Sequence, residues 1–211
     1  VRIVLRKRLP YQAGLGSASA DAAATLLGLN LLFGEPLAAD ALAALGLRIG
    51  ADVPFGLQGG TMLAQGIGEQ LTPLPPLTGG VFVIAKPAEG MSTPEAYARY
   101  DALKSPMQPD SARLCAALAA GEPKRIAAGF GNVLEQIGPP AGVARLKSAL
   151  LREGALGAAM TGSGTAVFGL FCDEASARAA CATLVPQTVF CETARPLSRG
   201  VYRLTGEASA F

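Results

Sequence analysis

The run Leu9–Asp21, LPYQAGLGSASAD, is the feature that most narrows what this chain can become. It separates two segments of opposite habit: Val1–Leu5 carries branched residues in the alternating pattern of a strand, whereas Ala22–Leu32 is a stretch of strong helix formers with a continuous apolar face. The unit reads strand, glycine loop, helix. Such a junction attracts anions, because the first amides of a helix have no intrahelical partner and the aligned peptide dipoles leave that end partly positive. Gly14 and Gly16 permit left-handed backbone and close approach of a ligand, and Ser17 and Ser19 add hydroxyls. The chain contains no G-x-x-x-x-G-K-[ST], and the loop does not have G-x-G-x-x-G spacing, so the P-loop and Rossmann phosphate sites are disfavoured. The same residues also fit an ordinary glycine turn with a serine N-cap.

Composition closes off several other chemistries. The 211 residues are 50% hydrophobic, enough to build a sizeable core in one or two domains and to argue against disorder. With a net charge of +2 and no basic block beyond Arg6–Arg8, neither nucleic acid nor an anionic membrane is an expected partner, and any anionic ligand must be held locally. Histidine is absent, which removes Ser-His-Asp hydrolysis, Cys-His proteolysis and His-ligated zinc, and leaves general base work to a carboxylate. Cys115, Cys172, Cys181 and Cys191 are widely spaced within apolar stretches, as reduced packing residues would be, and a cytoplasmic setting is the default expectation. No apolar run approaches the ~18 residues of a membrane span, and no signal peptide opens the chain.

Beyond the first helix, Glu35–Pro36 opens a second one expected to reach about Leu47, with Pro36 in its first turn. Ile49–Phe55 reads as a non-helical loop, because Pro54 is expected to exclude helix at Val53. Gly59–Ala64 and Glu69–Thr72 read as short strands about a glycine turn. The proline-rich Pro73–Thr78 then marks a boundary, giving expected domains 1–75 and 76–204 and a tail 205–211. Val81–Ala85 is a buried type of strand, and Thr93–Glu135 holds several helical patterns. A helix Ala141–Arg152, a strand near Ala155–Met160, the glycine loop Thr161–Thr165, a strand Ala166–Phe171, a helix Asp173–Leu184 and two closing strands follow. This alternation argues for α+β layers.

Three segments taken in order, Pro10–Asp21, Gly50–Phe55 (GADVPF) and Thr161–Thr165 (TGSGT), resemble the GHMP kinases, which carry a proline-led G-L-G-S-S loop before a helix and a later glycine-rich third motif. Lys86–Pro87, Ser92–Tyr97 and Asn132–Glu135 fall in the order expected for that family, and the resemblance spans Val1 to Leu204. It implies a two-lobed α+β fold, with a truncated N-lobe like ribosomal protein S5 domain 2 and a ferredoxin-like C-lobe. It further implies transfer of the γ-phosphoryl group of ATP to the 2-hydroxyl of a diphosphocytidyl-linked methylerythritol in non-mevalonate isoprenoid synthesis. ATP and Mg2+ are the implied cofactors, and the partner is a small-molecule substrate.

Asp52 matches the family's catalytic base; a carboxylate beside an apolar Val-Pro-Phe wall could be oriented and partly desolvated for that task. A loop aspartate capping its neighbouring backbone is the other reading of that residue. By the same resemblance Pro10, Tyr11, Gln12, Ala13, Gly14, Leu15, Gly16, Ser17, Ala18, Ser19 and Ala20 wrap the ATP phosphates through backbone amides. Thr161, Gly162, Ser163, Gly164 and Thr165 close over the phosphate region from the second lobe, or simply turn between two strands. Ser19 is a candidate phosphate or metal contact; Asp21 reads as structural, and Asn132 as a helix N-cap.

The chain also departs from the family pattern. Gly16-Ser17-Ala18-Ser19-Ala20 replaces a glycine triplet followed by two serines, and the family's lysine-bearing N-terminal segment has no counterpart before Val1. The expectation is a C-terminal portion of such a kinase, nearly inactive alone. A GHMP kinase for homoserine or a mevalonate derivative, and a nucleotide-binding module without catalysis, are the alternatives.

Overall fold

The computed structural model describes residues 1–201, and these divide into two compact units. One comprises Val1–Arg6, Gly16–Pro76 and the residues from Leu197; the other comprises Lys7–Leu15 and Leu77–Pro196.

The first unit contains three helices, α1 (Ser17–Leu32), α2 (Ala39–Leu47) and α3 (Val53–Gln58), and a hairpin of β1 (Met62–Gln65) and β2 (Gln70–Pro73). Small residues set its tightest packing. A side chain on Gly56 would come 2.9 Å from Ala23 Cβ, so α1 and α3 meet almost backbone to backbone. Ala23 is the one fully buried residue of α1, while Leu31, Leu32 and Phe33 keep much of their surface exposed.

Three expectations fail here for physical reasons. Val1–Leu5 forms no strand among the described residues: strand backbone needs a ladder partner, and these residues are exposed. Pro36 precedes α2 rather than entering its first turn, and α2 starts at Ala39. The loop at Ile49–Phe55 gives way to α3, because Pro54 falls in that helix's first turn, where a missing N–H costs nothing.

In the second unit, β3 (Val81–Lys86) is followed by α4 (Thr93–Asp101), α5 (Ser111–Ala120), α6 (Pro123–Ala128), a 3-10 turn Val133–Ile137, and α7 (Ala141–Arg152). Then come β4 (Gly157–Met160), β5 (Val167–Phe171), α8 (Glu174–Leu184), a second 3-10 turn Val185–Gln187 and β6 (Phe190–Ala194). The four strands form an antiparallel sheet in the order β4-β5-β3-β6. Numbered within this unit the strands read 2-3-1-4, with α7 and α8 as the two long crossovers, which is the ferredoxin-like arrangement.

Period-two alternation explains the two faces of this sheet. Val81, Val83 and Ala85 of β3 and Val167 and Phe171 of β5 point into a core completed by Val143, Leu146 and Leu150 of α7 and Leu184 of α8. Phe82 and Phe168 point the other way and stack with Phe130, at centroid distances of 5.8 Å for Phe82–Phe168 and 5.0 Å for Phe130–Phe168. The four cysteines are free; Cys172 is exposed and the other three are half-buried, with Cys181 and Cys191 packed against the core as reduced packing residues would be. One closing strand, β6, is present, and the second expected strand lies outside the described residues. No helix among the described residues is long and apolar enough to cross a membrane.

Candidate active site

The backbone of the glycine run has a regular twist. Gln12, Gly14 and Gly16 have φ angles of 51°, 69° and 62°, so every second residue is left-handed. Alternation of this kind turns successive N–H groups toward a common concavity, a form that binds anions. Among the described residues no N–H from Tyr11 to Ser19 donates to a protein acceptor, whereas the carbonyls of Gln12, Ala13, Gly14 and Gly16 all accept. The carbonyls are tied down, and these amides meet no protein acceptor among the described residues. Gly14 is required twice over: its φ is left-handed, and a side chain there would run into the Thr161 carbonyl and lie 2.8 Å from Gly164 N.

In the second unit the structure brings Gln12–Gly14 and Thr161–Thr165 together. The latter is the hairpin loop between β4 and β5, closed by Thr161 N–H to the Ala166 carbonyl at 2.9 Å and Gly164 N–H to the Thr161 carbonyl at 2.9 Å. It grips the glycine run through Thr165 N–H to the Gln12 carbonyl (3.0 Å), Ala166 N–H to the Ala13 carbonyl (3.1 Å) and Thr161 Oγ1 to the Gly14 carbonyl (3.0 Å). Thr165 is fully buried, with its hydroxyl donating to the Glu89 carbonyl at 2.6 Å, and the Ser163 and Thr93 hydroxyls share a hydrogen bond of 2.8 Å. Thr161–Thr165 is therefore more than a turn between two strands. Pro10 and Leu15 are half-buried, Ala13 is buried, and Tyr11 is largely exposed beside Lys7, whose Nζ lies 5.5 Å from its ring centroid.

In the first unit the start of α1 lies beside the Asp52 segment. Gly16 is the N-cap residue of α1, no side chain caps that end, and Ala20 N–H closes the first turn on the Gly16 carbonyl at 3.0 Å. The serine cap read from the sequence is thus absent; Ser17 and Ser19 are half-buried, and Ala18 and Ala20 are exposed. A side chain on Gly50 would come 3.7 Å from Ser19 Oγ, which places the loop leading to Asp52 against the first turn of α1. Asp52 is the N-cap residue of α3, yet its side chain makes no capping bond. Its carboxylate is exposed, because Val53 and Pro54 turn inward and are buried while Phe55 stays 41% exposed. The apolar wall orients the chain at Asp52 without desolvating the acid. Asp21 is half-buried on α1, and the Asp21 carbonyl accepts from Thr25 Oγ1 at 2.8 Å.

Residues that sequence reasoning underrated support the loops from behind. Lys86 is 4% exposed and donates to the carbonyls of Pro87 (3.1 Å) and Glu89 (3.2 Å); burial pushes its ammonium below the usual lysine range, partly offset by the charge of Glu89. Asn132 does cap a 3-10 turn, and it also donates to two carbonyls of the β4 end and the hairpin loop. The signal for both was their place in short runs, Lys86–Pro87 and Asn132–Glu135, which carries no geometry. Two hollows flank the hairpin loop within this unit and share Thr161 and Phe168. One, of about 330 Å3, is lined by Leu15, Phe82 and Ile84; the other, of about 500 Å3, by Tyr97, Tyr100 and Asn132.

Among the described residues no group of three or more His, Cys, Asp and Glu side chains could hold a metal ion. An ion such as Mg2+ would draw most of its ligands here from phosphate oxygens and water.

Comparison with known proteins decides what such a loop belongs to. The GHMP kinases N terminal domain model matches residues 1–63 and the GHMP kinases C terminal model matches residues 115–188. A 4-diphosphocytidyl-2-C-methyl-D-erythritol kinase of Moorella thermoacetica is 44% identical over 203 residues, covering 92% of this chain and 70% of the relative. The chain belongs to the 4-diphosphocytidyl-2-C-methyl-D-erythritol kinase family of GHMP kinases. The relative from Gloeobacter violaceus is 46% identical over 191 residues, and this chain spans 63% of its length. A crystal structure of a 4-(cytidine 5'-diphospho)-2C-methyl-D-erythritol kinase superposes with a TM-score of 0.74 at 33% identity, covering 89% of this chain and 68% of that one. The homoserine kinase of Cytophaga hutchinsonii superposes equally well, with a TM-score of 0.75 at 21% identity. The fold is thus shared across GHMP kinases, and sequence separates the diphosphocytidyl family from the rest. The kinase family implies ATP as a substrate.

Proposed function

We propose that this chain forms the nucleotide-binding and catalytic-base portion of an enzyme that transfers the γ-phosphoryl group of ATP to the 2-hydroxyl of 4-diphosphocytidyl-2-C-methyl-D-erythritol. The observation that carries the reading is the alternating left-handed backbone at Gln12, Gly14 and Gly16, which frees a succession of amides and runs into the uncapped N-terminus of a 16-residue helix. Amides fixed in this way meet phosphate charge without reorganising, and the helix dipole adds to them.

Asp52 is assigned the base. In the step, the substrate hydroxyl oxygen bonds to the γ-phosphorus, the bond from that phosphorus to the bridging oxygen of ADP breaks, and the hydroxyl proton passes to the Asp52 carboxylate. The lack of a capping bond leaves that carboxylate available as an acceptor. Its place one short loop from Ser19, on the first turn of α1, supports the pairing of base and phosphate-binding helix within one unit. Mg2+ carried by the phosphates would neutralise developing charge, with Ser17 and Ser19 the hydroxyls of the first helical turn that could meet it. For the acceptor, the relatives are named for a cytidine diphosphate substrate, and the hollow edged by Tyr97, Tyr100 and Phe168 offers aromatic faces on which a cytosine ring could stack.

Titration of the purified chain with a fluorescent ATP analogue tests the nucleotide site, and saturable binding displaced by ATP is expected. Phosphorus NMR of ATP mixed with 4-diphosphocytidyl-2-C-methyl-D-erythritol, homoserine or mevalonate then tests the acceptor in a form of the protein that turns over. Preferred phosphorylation of homoserine or mevalonate would reassign the substrate, and failure to bind nucleotide at millimolar concentration would remove the reading altogether.

A further inference from the structure

Asn132 uses both halves of its carboxamide. Oδ1 accepts Leu134 N–H at 2.9 Å, capping the 3-10 turn, while Nδ2 donates to the Met160 carbonyl and to the Gly162 carbonyl, each at 2.8 Å. The orientation is dictated by chemistry: reversing the amide would set its oxygen against two carbonyl oxygens and its NH2 against an N–H. Three residues on, Glu135 accepts Met160 N–H through Oε1 at 2.7 Å and is ion-paired with Lys147 through its other oxygen. Residues 132–135 therefore hold both the N–H and the carbonyl of Met160 and the carbonyl of Gly162.

These are the entry points of the hairpin loop that grips Gln12–Gly14. With Met160 and Gly162 pinned, the peptide of Thr161 between them has one orientation, and its hydroxyl reaches the Gly14 carbonyl. The exit of the loop is pinned separately, by Thr165 to Glu89. A cap needs only the oxygen of Asn132; the two donors serve the loop alone.

We propose that Asn132 is a positioning residue for the nucleotide site, its side-chain NH2 fixing the third glycine loop and, through it, the phosphate-binding backbone of Gln12–Gly14. This rests on the phosphate-binding reading of that backbone and not on the identity of the acceptor.

Two substitutions separate the clamp from the cap. Asn132→Asp keeps an oxygen for Leu134 N–H and removes both N–H donors; Asn132→Ser keeps a capping oxygen without adding charge and replaces the two-donor NH2 by a single shorter hydroxyl that cannot hold both carbonyls. The full 211-residue chain is measured for thermal unfolding, for amide hydrogen exchange across residues 160–166, and for affinity toward a fluorescent ATP analogue. The expected result is a folded Asn132→Ser chain with a modestly lowered unfolding midpoint, faster exchange at Thr161, Gly164 and Thr165, and an affinity about tenfold weaker in both variants, as when the binding-competent loop is populated about one-tenth of the time. Unchanged exchange and affinity in either folded variant would reduce Asn132 to a cap and overturn the proposal. Faster exchange in a chain whose wild type binds no analogue would overturn the phosphate reading and leave a clamp without a nucleotide role.

Discussion

The hydroxyl of Thr161 donates to the carbonyl oxygen of Gly14 across 3.0 Å, joining residues 147 positions apart in the chain. With the backbone bonds from Thr165 and Ala166 to Gln12 and Ala13, it makes the conformation of the glycine loop a long-range property. Thr161→Val keeps the shape of the side chain and removes the donor. Stability should fall by about 1 kcal/mol, the usual worth of such a bond, and affinity for an ATP analogue should fall several-fold. Denaturant unfolding alongside titration checks this, with Thr161→Ser expected to retain both; a Val variant matching wild type in both measurements would deny the bond any role.

Gly14→Ala meets two obstacles, the left-handed φ of 69° and the Thr161 carbonyl in the path of the new methyl. The two glycine loops must then part, and nucleotide binding should be lost. Gly16→Ala faces only the φ of 62°, since nothing lies within 4 Å of the added carbon. It should bind more weakly than wild type but better than Gly14→Ala. The reverse ranking in a titration would contradict this account of the loop.

Asp52→Asn should leave folding untouched, because the side chain is exposed and caps nothing. In a form of the protein that turns over, kcat should drop roughly 10²- to 10⁴-fold, the range for losing a general base, with nucleotide affinity little changed. Steady-state kinetics decides the point, and an unaltered kcat would remove Asp52 from the chemistry.

Lys86 links stability to pH. Burial lowers its proton affinity in the folded chain below the ordinary lysine value, so between the folded and unfolded values the unfolded chain binds more protons. Stability contributed at this position therefore rises with pH as the solution approaches the unfolded value from below, and below the folded value it is constant. Comparing unfolding free energies of wild type and Lys86→Met from about pH 8 to about pH 10 should show wild type gaining on the variant. A flat difference would mean that the ammonium is solvated after all.

Legibility varied with the range of the interactions involved. Helix α7 was readable to the residue because Val143, Leu146, Ala149 and Leu150 repeat at helical spacing and bury one stripe. Strands β3 and β5 announced themselves by short apolar runs between turn residues. Helix α3 was hidden because Pro54 is a breaker within a helix and a starter in its first turn, and sequence spacing alone does not say which. Val1–Leu5 shows the converse: alternation states a readiness to pair, and pairing needs a neighbour.

The same division runs through the candidate site. Local chemistry determined that Gly14 and Gly16 can take left-handed backbone and that a helix begins just after them. Tertiary structure alone decided that Gln12, a residue with no intrinsic ease in that conformation, is left-handed too, because Thr165 claims its carbonyl. It decided that Asp52 faces solvent while Val53 and Pro54 turn inward, and that the NH2 of Asn132 meets two carbonyls from a distant hairpin. Dihedral preference is written residue by residue, whereas a hydrogen bond across more than a hundred positions exists only once the sheet between them has formed.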